Sequence, residues 1–535
     1  MSRRSASVPL LLLLLLLLFS FSLCSSNSLY DSFLQCLTSQ RQSFDQASKI
    51  VYQESNSSFA SVLNSYVRNR RFNTSSTPKP LIIVTPLLES DASGAVLCAQ
   101  ILKLHIKIRS GGHDFEGISY VSDDPFIILD MFNLRMIHVN IQDESAWVQA
   151  GATLGELYYR IWESSKVYGF PAGICATVGV GGHLSCGGYG NMLRKYGLSV
   201  DNILDARIVD VNGKILDRDS MGEDLFWAIR GGGGASFGVV LAYKVRLVPV
   251  PETVTVFHVE KTIEENMTDL VYKWQLVAPS TDENLFMRLA VQPTTSSSRI
   301  GRKTIRASIT ALFLGGAEKL VSLLGKELPE LGLKKENCIE MSWIESAVWW
   351  GNFYKQASPS ILLDRVPGSM NFLKRKSDYL EKPIPKANLE RLWKKMIALG
   401  KPELVFNPYG GRMNEIATSE TPFPHRTGNL FKIQHSISWT EEGPEAEKNY
   451  LSQIRRLYSY MTPYVSSNPR RSFLCYRDLD VGVTSKGKNS YSEGKVYGIK
   501  YFGGNFDRLV KVKTMVDPMN FFRNEQSIPV KPWES

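Results

Sequence analysis

The hydrophobic pattern of residues 81–250 switches repeatedly between short strands and short helices. Residues 91–104 and 154–162 repeat apolar positions with a helical period, and Asp91 supplies an N-terminal cap for the first of these helices. Two short apolar or alternating runs predict strands, LIIVTP (81–86) and IKIRS (106–110), and AWVQAG (146–151) precedes the second helix. This part of the chain is therefore expected to mix both kinds of element in one domain.

The same region ends in a hairpin, a helix and a strand. Residues 202–217 predict a hairpin whose turn is Asn212-Gly213, because this dipeptide tolerates the left-handed backbone of a tight turn. EDLFWAIR (223–230) has a helical pattern, and FGVVLAYKVRLVPV (237–250) predicts one long strand. Glycine is frequent in the intervening loops.

A different organisation follows Pro249. Residues 388–400 and 445–461 have helical periods, and three stretches predict strands: TVTVFHVEK (253–261), LFMRLAVQP (285–293) and LFKIQHSISW (430–439). The chain is longer than one hydrophobic core usually supports, so we expect an α+β protein of at least two domains. The predicted divisions are residues 27–250, residues 251–470 and a last segment of short elements over residues 471–535.

The N-terminus has the pattern of a secretory signal. Arg3 and Arg4 precede an apolar run over residues 8–18, which is short for a membrane span, and small residues follow it. No second apolar run in the sequence is long enough to cross a bilayer. We predict a signal peptide over residues 1–26, no membrane insertion, and entry into the secretory route.

Sequons and cysteines agree with that route. Asn56, Asn73 and Asn266 each begin an Asn-X-Ser/Thr acceptor pattern, so we expect glycosylated surface loops there. Of the seven cysteines, Cys24 lies at the edge of the signal, and the remainder are too sparse for a disulfide-built scaffold. We expect one early bridge, Cys36–Cys98, since both residues lie in amphipathic, helix-like segments.

The charge pattern argues against a nucleic-acid partner. The formal net charge is +10, but basic residues alternate with acids, as in KKMIALGKPELVF (394–406), and form no long arm. Such a pattern is typical of a solvated, mildly basic surface.

Three glycine-rich stretches carry the candidate chemistry: RSGGHDFEG (109–117), VGVGGHLSCGGYG (178–190) and RGGGGASFG (230–238). Glycine brings backbone N–H groups close to a ligand, and successive N–H groups form a concave anion site. Neither a P-loop nor an early GxGxxG unit is present. Together the stretches predict a large cofactor that carries a diphosphate.

The residue spacing fits neither a zinc site nor the active site of a serine hydrolase. His113, His183 and Cys175 lack the spacing of zinc motifs, and no GxSxG nucleophile elbow occurs. A histidine and a cysteine beside glycines can instead act as nucleophiles toward an electrophilic organic cofactor.

Several long motifs in one order resemble the plant berberine bridge enzyme-like flavoproteins. They are RSGGHDFEG, FPAGICATVGVGGHLSCGGYG, NPYGGRM, YRDLDVG and DPMNFFRNEQSIP, and they cover essentially the whole mature chain. The resemblance implies a fold of the vanillyl-alcohol-oxidase type, with an FAD domain built from both ends of the chain. It also implies a substrate domain whose antiparallel sheet, covered by helices, lies over the flavin.

The resemblance implies FAD held by two covalent bonds, from His113 to the 8α-methyl group and from Cys175 to ring carbon C6. His183 would lie near the flavin pyrimidine edge as a positive imidazole that stabilises reduced flavin. The other residues expected to contact the cofactor are Arg109, Ser110, Gly111, Gly112, Asp114, Val178, Gly179 and Gly182.

For the substrate side, the resemblance extends to family members that oxidise alcohols. Tyr189, Tyr476 and Gln434 match that active-site set, and Tyr409 would add a hydrogen bond. Lys432 beside a tyrosine would lower the pKa of the phenol, which could then take the hydroxyl proton of a substrate.

The sequence also departs from its relatives. Phe115 stands where many members have tyrosine, and Gln434, followed by His435, stands where some have a glutamate base. Cys186 and Cys475 replace a glycine and an asparagine. Val178 is small where some relatives have leucine. In this family a small residue at that position accompanies oxygen access to the flavin.

These observations predict a monomeric, secreted FAD oxidase that uses O2 and makes H2O2 from a phenolic or allylic alcohol or a sugar end group. Two alternatives stay open on the sequence: a cyclase or cycloaddition enzyme that acts on a plant phenolic, and a protein of the same fold that serves only in binding or defence.

Overall fold

The computed structural model describes residues 29–40, 43–298, 301–352, 354–367, 370–485 and 490–532, and the predicted signal peptide lies outside these ranges. The helices up to residue 250 are α1 (29–40), α2 (Phe44–Ser48), α3 (Phe59–Asn64), α4 (Glu89–Ile101), α5 (Leu154–Ser164), α6 (Val180–Ser185), α7 (Leu193–Tyr196) and α8 (Arg218–Ile229). The strands of that region are β1 (Val51–Tyr52), β2 (Ile82–Val84), β3 (His105–Arg109), β4 (Phe126–Asp130), β5 (Ile137–Asn140), β6 (Ser145–Gln149), β7 (Tyr168–Gly169), β8 (Ile203–Val209), β9 (Ile215–Leu216), β10 (Val239–Arg246) and β11 (Val248–Pro249).

Longer strands follow. They are β12 (Val254–Thr262), β13 (Leu285–Thr295), β14 (Lys303–Phe313), β15 (Cys338–Met341), β16 (Phe372–Leu380), β17 (Glu403–Pro408) and β18 (Phe431–Trp439). The remaining helices are α9 (Met267–Val277), α10 (Ala317–Glu327), α11 (Trp343–Gly351), α12 (Lys386–Leu399), α13 (Arg412–Glu415), α14 (Pro444–Tyr460), α15 (Tyr491–Phe502) and α16 (Phe506–Val516).

The strands divide into sheets by sequence region. Before residue 250 they form a sheet of order β1-β2-β4-β3, a sheet of order β5-β6-β10-β8-β9, and the pair β11-β7. After it, β12–β18 form one antiparallel sheet of order β15-β12-β14-β13-β17-β18-β16. The predicted two-domain α+β architecture is therefore confirmed.

The seven-stranded sheet has one apolar and one polar face, because side chains alternate along each strand. Leu289, Phe406 and Ile433 lie on the apolar face and pack with Trp274 of α9 and Trp393 of α12. On the other face, cross-strand register aligns the polar residues Tyr379, Lys432, Asn407, Arg288 and Thr310 in one row. Of this row, Arg288 lines the cavity described below.

The C-terminal segment returns to both regions. The backbone N–H of Phe473 donates to Ser377 Oγ of β16 at 2.8 Å, and Asp478 accepts from Lys374 and Lys376. At the far end, Lys513 of α16 donates to the carbonyl oxygen of Ser236 in the first region at 2.6 Å. Residues 473–478 are thus fixed between the sheet and the glycine-rich loops.

Two local predictions were wrong. The helix predicted over 91–104 is α4, which runs from Glu89 to Ile101, and Asp91 caps it from within the first turn by accepting from the N–H groups of Leu87 and Leu88. The single strand predicted over 237–250 is two strands, since the N–H of Leu247 bonds to Glu144 and β11 leaves to pair with β7.

The predicted bridge Cys36–Cys98 is present and joins α1 to α4. The sequon residues Asn56, Asn73 and Asn266 are all exposed. Within the described ranges no helix combines the length and apolar character that a membrane crossing needs. Nor does the described part of the chain contain a cluster of side chains suited to a metal ion.

Candidate active site

A cavity of about 470 Å³ lies between the glycine-rich loops, the polar face of the seven-stranded sheet and residues 473–477. All three glycine stretches identified in the sequence contribute to its wall. His113, Cys175, Val178, His183, Tyr189, Gln434 and Tyr476, which the sequence predicted for the site, line it together. The cavity therefore gathers residues from three distant parts of the chain.

His113 and Cys175 meet through Thr177. His113 Nε2 is hydrogen-bonded to Thr177 Oγ1 at 2.9 Å, and Cys175 Sγ lies 3.7 Å from the same oxygen. Burial lowers the pKa of His113 to about 3, so the imidazole is neutral and keeps a nucleophilic lone pair. Cys175 is a free, exposed thiol. Both nucleophiles are thus available to one ligand in the cavity.

Close backbone packing explains two of the glycines. A Cβ atom on Gly111 would lie 2.3 Å from the backbone nitrogen of Gly179, and one on Gly179 would lie 2.1 Å from Ser110 Oγ. Ser110 in turn donates to the carbonyl oxygen of Ala150 at 2.6 Å. By contrast, a Cβ on Gly182 would meet nothing within 4 Å, which leaves room for a ligand against the backbone.

Several positively charged side chains line another part of the cavity. Lys107, Arg477 and Arg523 are among its lining residues, and Asp114 lies with them. Burial raises the pKa of Asp114, and the positive charge of Arg477 opposes that rise. Lys107 is paired with Glu525 at 2.9 Å. The net positive lining suits an anionic cofactor.

His183 is neutral, which corrects the expected positive imidazole. Its Nε2 accepts a hydrogen bond from the N–H of Gly173 at 3.1 Å, and that nitrogen therefore carries no proton. Burial lowers the His183 pKa to about 3. Since Gly173 lies two residues before Cys175, His183 holds the loop that presents the thiol.

Tyr189 and Tyr476 form the polar centre of the substrate side. Their hydroxyl groups are hydrogen-bonded to each other. The ring of Phe115 lies 5.6 Å from that of Tyr476, where many relatives would add a further hydroxyl. Burial and the neighbouring Tyr189 raise the pKa of Tyr476 well above its ordinary value.

Lys432 lies behind this pair. Its Nζ is 2.9 Å from the centre of the Tyr189 ring, 4.2 Å from that of Phe473 and 4.3 Å from that of Tyr476. Burial lowers the Lys432 pKa well below its ordinary value, and nearby Arg288 adds to the effect. The expected lowering of the tyrosine pKa by a charged lysine is therefore corrected: the phenol is harder to ionise, and the amine loses its proton more easily.

Gln434 and Arg288 extend the polar side of the cavity. Both line it, and the Arg288 Nε donates to Asn407 Oδ1 at 2.9 Å. In the described residues no carboxylate lies within ion-pair distance of Arg288. Its guanidinium is thus available to an acceptor in the cavity.

Three residues expected at the site lie elsewhere. Arg109 is buried against Asp130 at 2.7 Å and donates to the carbonyl oxygens of Val62 and Leu63, so its side chain supports the fold instead of contacting a cofactor. Tyr409 does not line the cavity and packs on Tyr379, whose ring centre is 6.0 Å away.

His435 is the third. It follows Gln434 in β18, so its side chain lies on the opposite face of the sheet. There its Nε2 is hydrogen-bonded to Asp378 Oδ2 at 2.8 Å. It therefore leaves the polarity of the cavity unchanged.

Sequence reasoning missed Thr177, Arg288 and a second disulfide, Cys186–Cys475. Thr177 lies between two motif residues and could have been found by its position. Arg288 follows no motif, because only the pairing of β13 with β17 and the placement of the sheet bring it to the cavity. Cys186 and Cys475 each replace another residue type found in relatives, and the joint presence of these two cysteines was the sequence signal for the disulfide.

Comparison with known proteins names the cofactor. Residues 80–218 match the family model described as FAD binding domain, and residues 472–529 match the one described as Berberine and berberine like. The cavity fits FAD: the glycine backbone is open at Gly182, the cationic lining suits a diphosphate, and His113 and Cys175 face the same space.

Full-length relatives agree. The chain is 63% identical to berberine bridge enzyme-like 21 of Arabidopsis thaliana, over 94% of each chain. Among solved structures, BBE-like #28 from Arabidopsis thaliana has a TM-score of 0.87 at 44% identity, covering 94% of this chain and 100% of its own. Phl p 4, a grass pollen allergen with glucose dehydrogenase activity, has a TM-score of 0.87 at 41% identity, covering 93% and 99%. The chain therefore belongs to the berberine bridge enzyme-like family of FAD-linked oxidoreductases.

Proposed function

We propose that this protein is a secreted oxidase that removes hydride from a hydroxyl-bearing carbon of a small plant metabolite and passes the electrons to O2, giving H2O2. Bound FAD supplies the hydride acceptor and the site of reoxidation. The observation that carries the proposal is the hydrogen-bonded pair Tyr189–Tyr476, backed by the buried amine of Lys432 and facing the cavity that holds His113 and Cys175.

The cofactor is proposed to be attached through both His113 and Cys175. A neutral imidazole and a free thiol lie in one cavity, and both contact Thr177. Thr177 would orient the imidazole and restrict the thiol. Two attachment points would fix the ring against the tyrosine pair.

The proton of the substrate hydroxyl is proposed to pass along the tyrosines. Tyr476 Oη accepts it and gives its own proton to Tyr189 Oη, and the neutral amine of Lys432 takes the proton that leaves the pair. The lowered pKa of Lys432 keeps its amine neutral and able to accept a proton, and the raised pKa of Tyr476 keeps that phenol protonated until it passes its proton on. Lys432 is thus the terminal base.

The proposed substrate is an alcohol, with a sugar end group favoured over a phenolic alcohol. Arg288, Gln434 and the tyrosine hydroxyls offer several polar contacts on the substrate side, whereas Phe115 offers one aromatic face. Phl p 4, whose structure resembles this one, is described as having glucose dehydrogenase activity. Arg288 has no carboxylate partner in the described ranges, so sugars that carry a carboxylate belong in the first substrate panel.

Oxygen is the proposed second substrate because Val178 lines the cavity as a small side chain three residues after Cys175. Among the solved neighbours, wild-type Phl p 4 is described as a glucose dehydrogenase, and its isoleucine-to-valine variant as a glucose oxidase. We therefore propose that Val178 admits O2 to the site, as a valine accompanies oxidase activity in that variant.

Secretion is proposed from the N-terminal pattern, together with two disulfides and three exposed sequons. Disulfides persist in oxidising compartments such as the secretory route.

The test is anaerobic mixing of the purified holoenzyme with neutral and carboxylate-bearing oligosaccharides, phenolic alcohols and prenylated phenols. We expect a sugar to bleach the flavin absorbance and, once air is admitted, to give one H2O2 per flavin reduced. Product formed without bleaching or oxygen uptake would refute the oxidase and favour the cyclase alternative.

A further inference from the structure

The Cys186–Cys475 disulfide crosses the candidate active site. Cys186 follows α6, which carries His183, and Cys475 directly precedes Tyr476 in the chain. Both cysteines line the cavity. The sulfur of Cys186 lies 3.3 Å from the carbonyl oxygen of His183, and that of Cys475 lies 3.9 Å from the same oxygen.

Tyr476 is otherwise tied to the seven-stranded sheet. On one side Phe473 bonds through its N–H to Ser377, and on the other Asp478 pairs with Lys374 and Lys376 of β16. These contacts fix Tyr476 relative to the sheet. They do not fix it relative to the glycine-rich loop.

Tyr189 belongs to that loop. A Cβ on nearby Gly190 would lie 1.7 Å from the carbonyl oxygen of Ala172, so the loop is packed tightly on the first region. The N–H of Gly188 donates to the sulfur of Cys475 at 3.5 Å. The disulfide is therefore the covalent link between the loop that carries Tyr189 and the segment that carries Tyr476.

We propose that the Cys186–Cys475 disulfide is a positioning element, which holds the two tyrosine hydroxyls at hydrogen-bond distance for proton transfer. The tyrosines lie 287 residues apart in sequence and pack in one apolar cluster, in which side-chain contacts alone leave room for small displacements of one hydroxyl relative to the other. This inference rests on the proposed function, because it assigns the tyrosine pair to proton transfer. It treats neither cysteine as a group that touches the substrate.

The chain offers a matched control. Cys36–Cys98 also joins distant elements, but neither residue lines the cavity. The comparison is between the double variants Cys186→Ser/Cys475→Ser and Cys36→Ser/Cys98→Ser, each as flavin-loaded holoenzyme. Both should unfold at lower temperature than wild type, since each loses a crosslink.

Rapid anaerobic mixing with the best substrate separates positioning from stability. We expect the limiting rate of flavin reduction to fall by roughly tenfold or more in Cys186→Ser/Cys475→Ser, because a small misplacement of reacting groups has a large effect on rate. The substrate Kd should change little, and the pH profile of the reduction rate should shift. Cys36→Ser/Cys98→Ser should keep the wild-type rate and profile. Equal rates in both variants, or equal losses in both, would overturn the proposal.

A second readout does not need a substrate. In crystal structures of the two double variants, the Tyr189–Tyr476 hydrogen bond should be lost or lengthened only when Cys186–Cys475 is removed. If that bond stays in place, the disulfide does not position the pair. If no alcohol reduces the wild-type flavin, the proposed function fails, and this crystallographic comparison still decides what the disulfide does.

If Cys186→Ser/Cys475→Ser does not accumulate as folded holoenzyme, the wild-type holoenzyme is treated with dithiothreitol and then alkylated. Each disulfide opened consumes one dithiothreitol, which becomes its cyclic disulfide, and leaves two protein thiols. Molecules alkylated at Cys186 and Cys475 should show the slowed flavin reduction, and an unchanged rate in them would refute the proposal.

Discussion

The side-chain nitrogen of Lys432 lies 2.9 Å from the centre of the Tyr189 ring, and it has no hydrogen-bond partner among the described residues. A buried amine without an acceptor is costly to keep charged, because it has lost its hydration. The aromatic faces around it offset only part of that cost. This relationship makes Lys432 a candidate base and gives the first prediction.

Replacement Lys432→Met should slow flavin reduction by roughly 10²–10⁴-fold, the usual contribution of a general base. Because the Lys432 pKa is lowered, the neutral amine dominates above that pKa, so the wild-type rate should rise with pH and then level off. The variant should lack this rise. Lys394→Met, at an exposed position of α12, is the control, and a Lys432→Met variant that kept the wild-type pH profile would remove Lys432 from the mechanism.

The same substitution should stabilise the protein below pH 10. The lowered pKa means that the unfolded chain binds a proton that the folded chain releases, so the lysine costs stability while the solution is below its unfolded pKa. Methionine fills similar space without this cost. The midpoint of thermal unfolding at pH 7 should rise in Lys432→Met, and a clear fall would contradict the assigned pKa direction.

Covalent attachment of the cofactor can be tested at both residues. We expect His113→Ala and Cys175→Ala each to retain flavin through the remaining bond, and the double variant to release it on acid precipitation. Protease digests of active wild-type enzyme should carry flavin mass on both peptides. Cys338→Ala removes the other free cysteine in the described ranges and should change neither result. An unmodified His113 or Cys175 peptide would disprove the double attachment.

Val178→Leu should slow reoxidation of the reduced enzyme by O2, because leucine would fill cavity space that valine leaves open. The rate of flavin reduction by substrate should stay close to wild type, which serves as the internal control. Both half-reactions are measured by rapid mixing. An unchanged rate with O2 would remove the reason for assigning an oxidase.

Arg288→Gln should affect substrates according to their charge. Hydrogen bonds to a charged group are worth about 1.5–3 kcal/mol, so KM for a sugar with a carboxylate should rise by roughly tenfold or more. A neutral sugar of the same size should lose less, since glutamine still offers a donor. An equal rise in KM for the two sugars would show that Arg288 does not distinguish substrates by their charge.

The sequence by itself determined the family, the cofactor class and most of the cavity wall. Long motifs placed His113 and Cys175 beside glycines, and apolar periodicity predicted three strands of the second sheet and two of its covering helices. The Cys36–Cys98 bridge followed from two helix-like segments. These features depend on local residue patterns or on the order of motifs along the chain, so they can be predicted from the sequence.

Only the tertiary structure decided the charges and the partners. Arg109 was placed in the site by its motif, yet burial against Asp130 gives it a structural role. The charge states expected for His183 and Lys432 changed because desolvation depends on every element packed around them. Arg288 reached the cavity through strand pairing, and Cys186 met Cys475 across a sequence separation of 289 residues. Neither the burial of a side chain nor its long-range partner can be predicted from local sequence, because both exist only once the whole chain has folded.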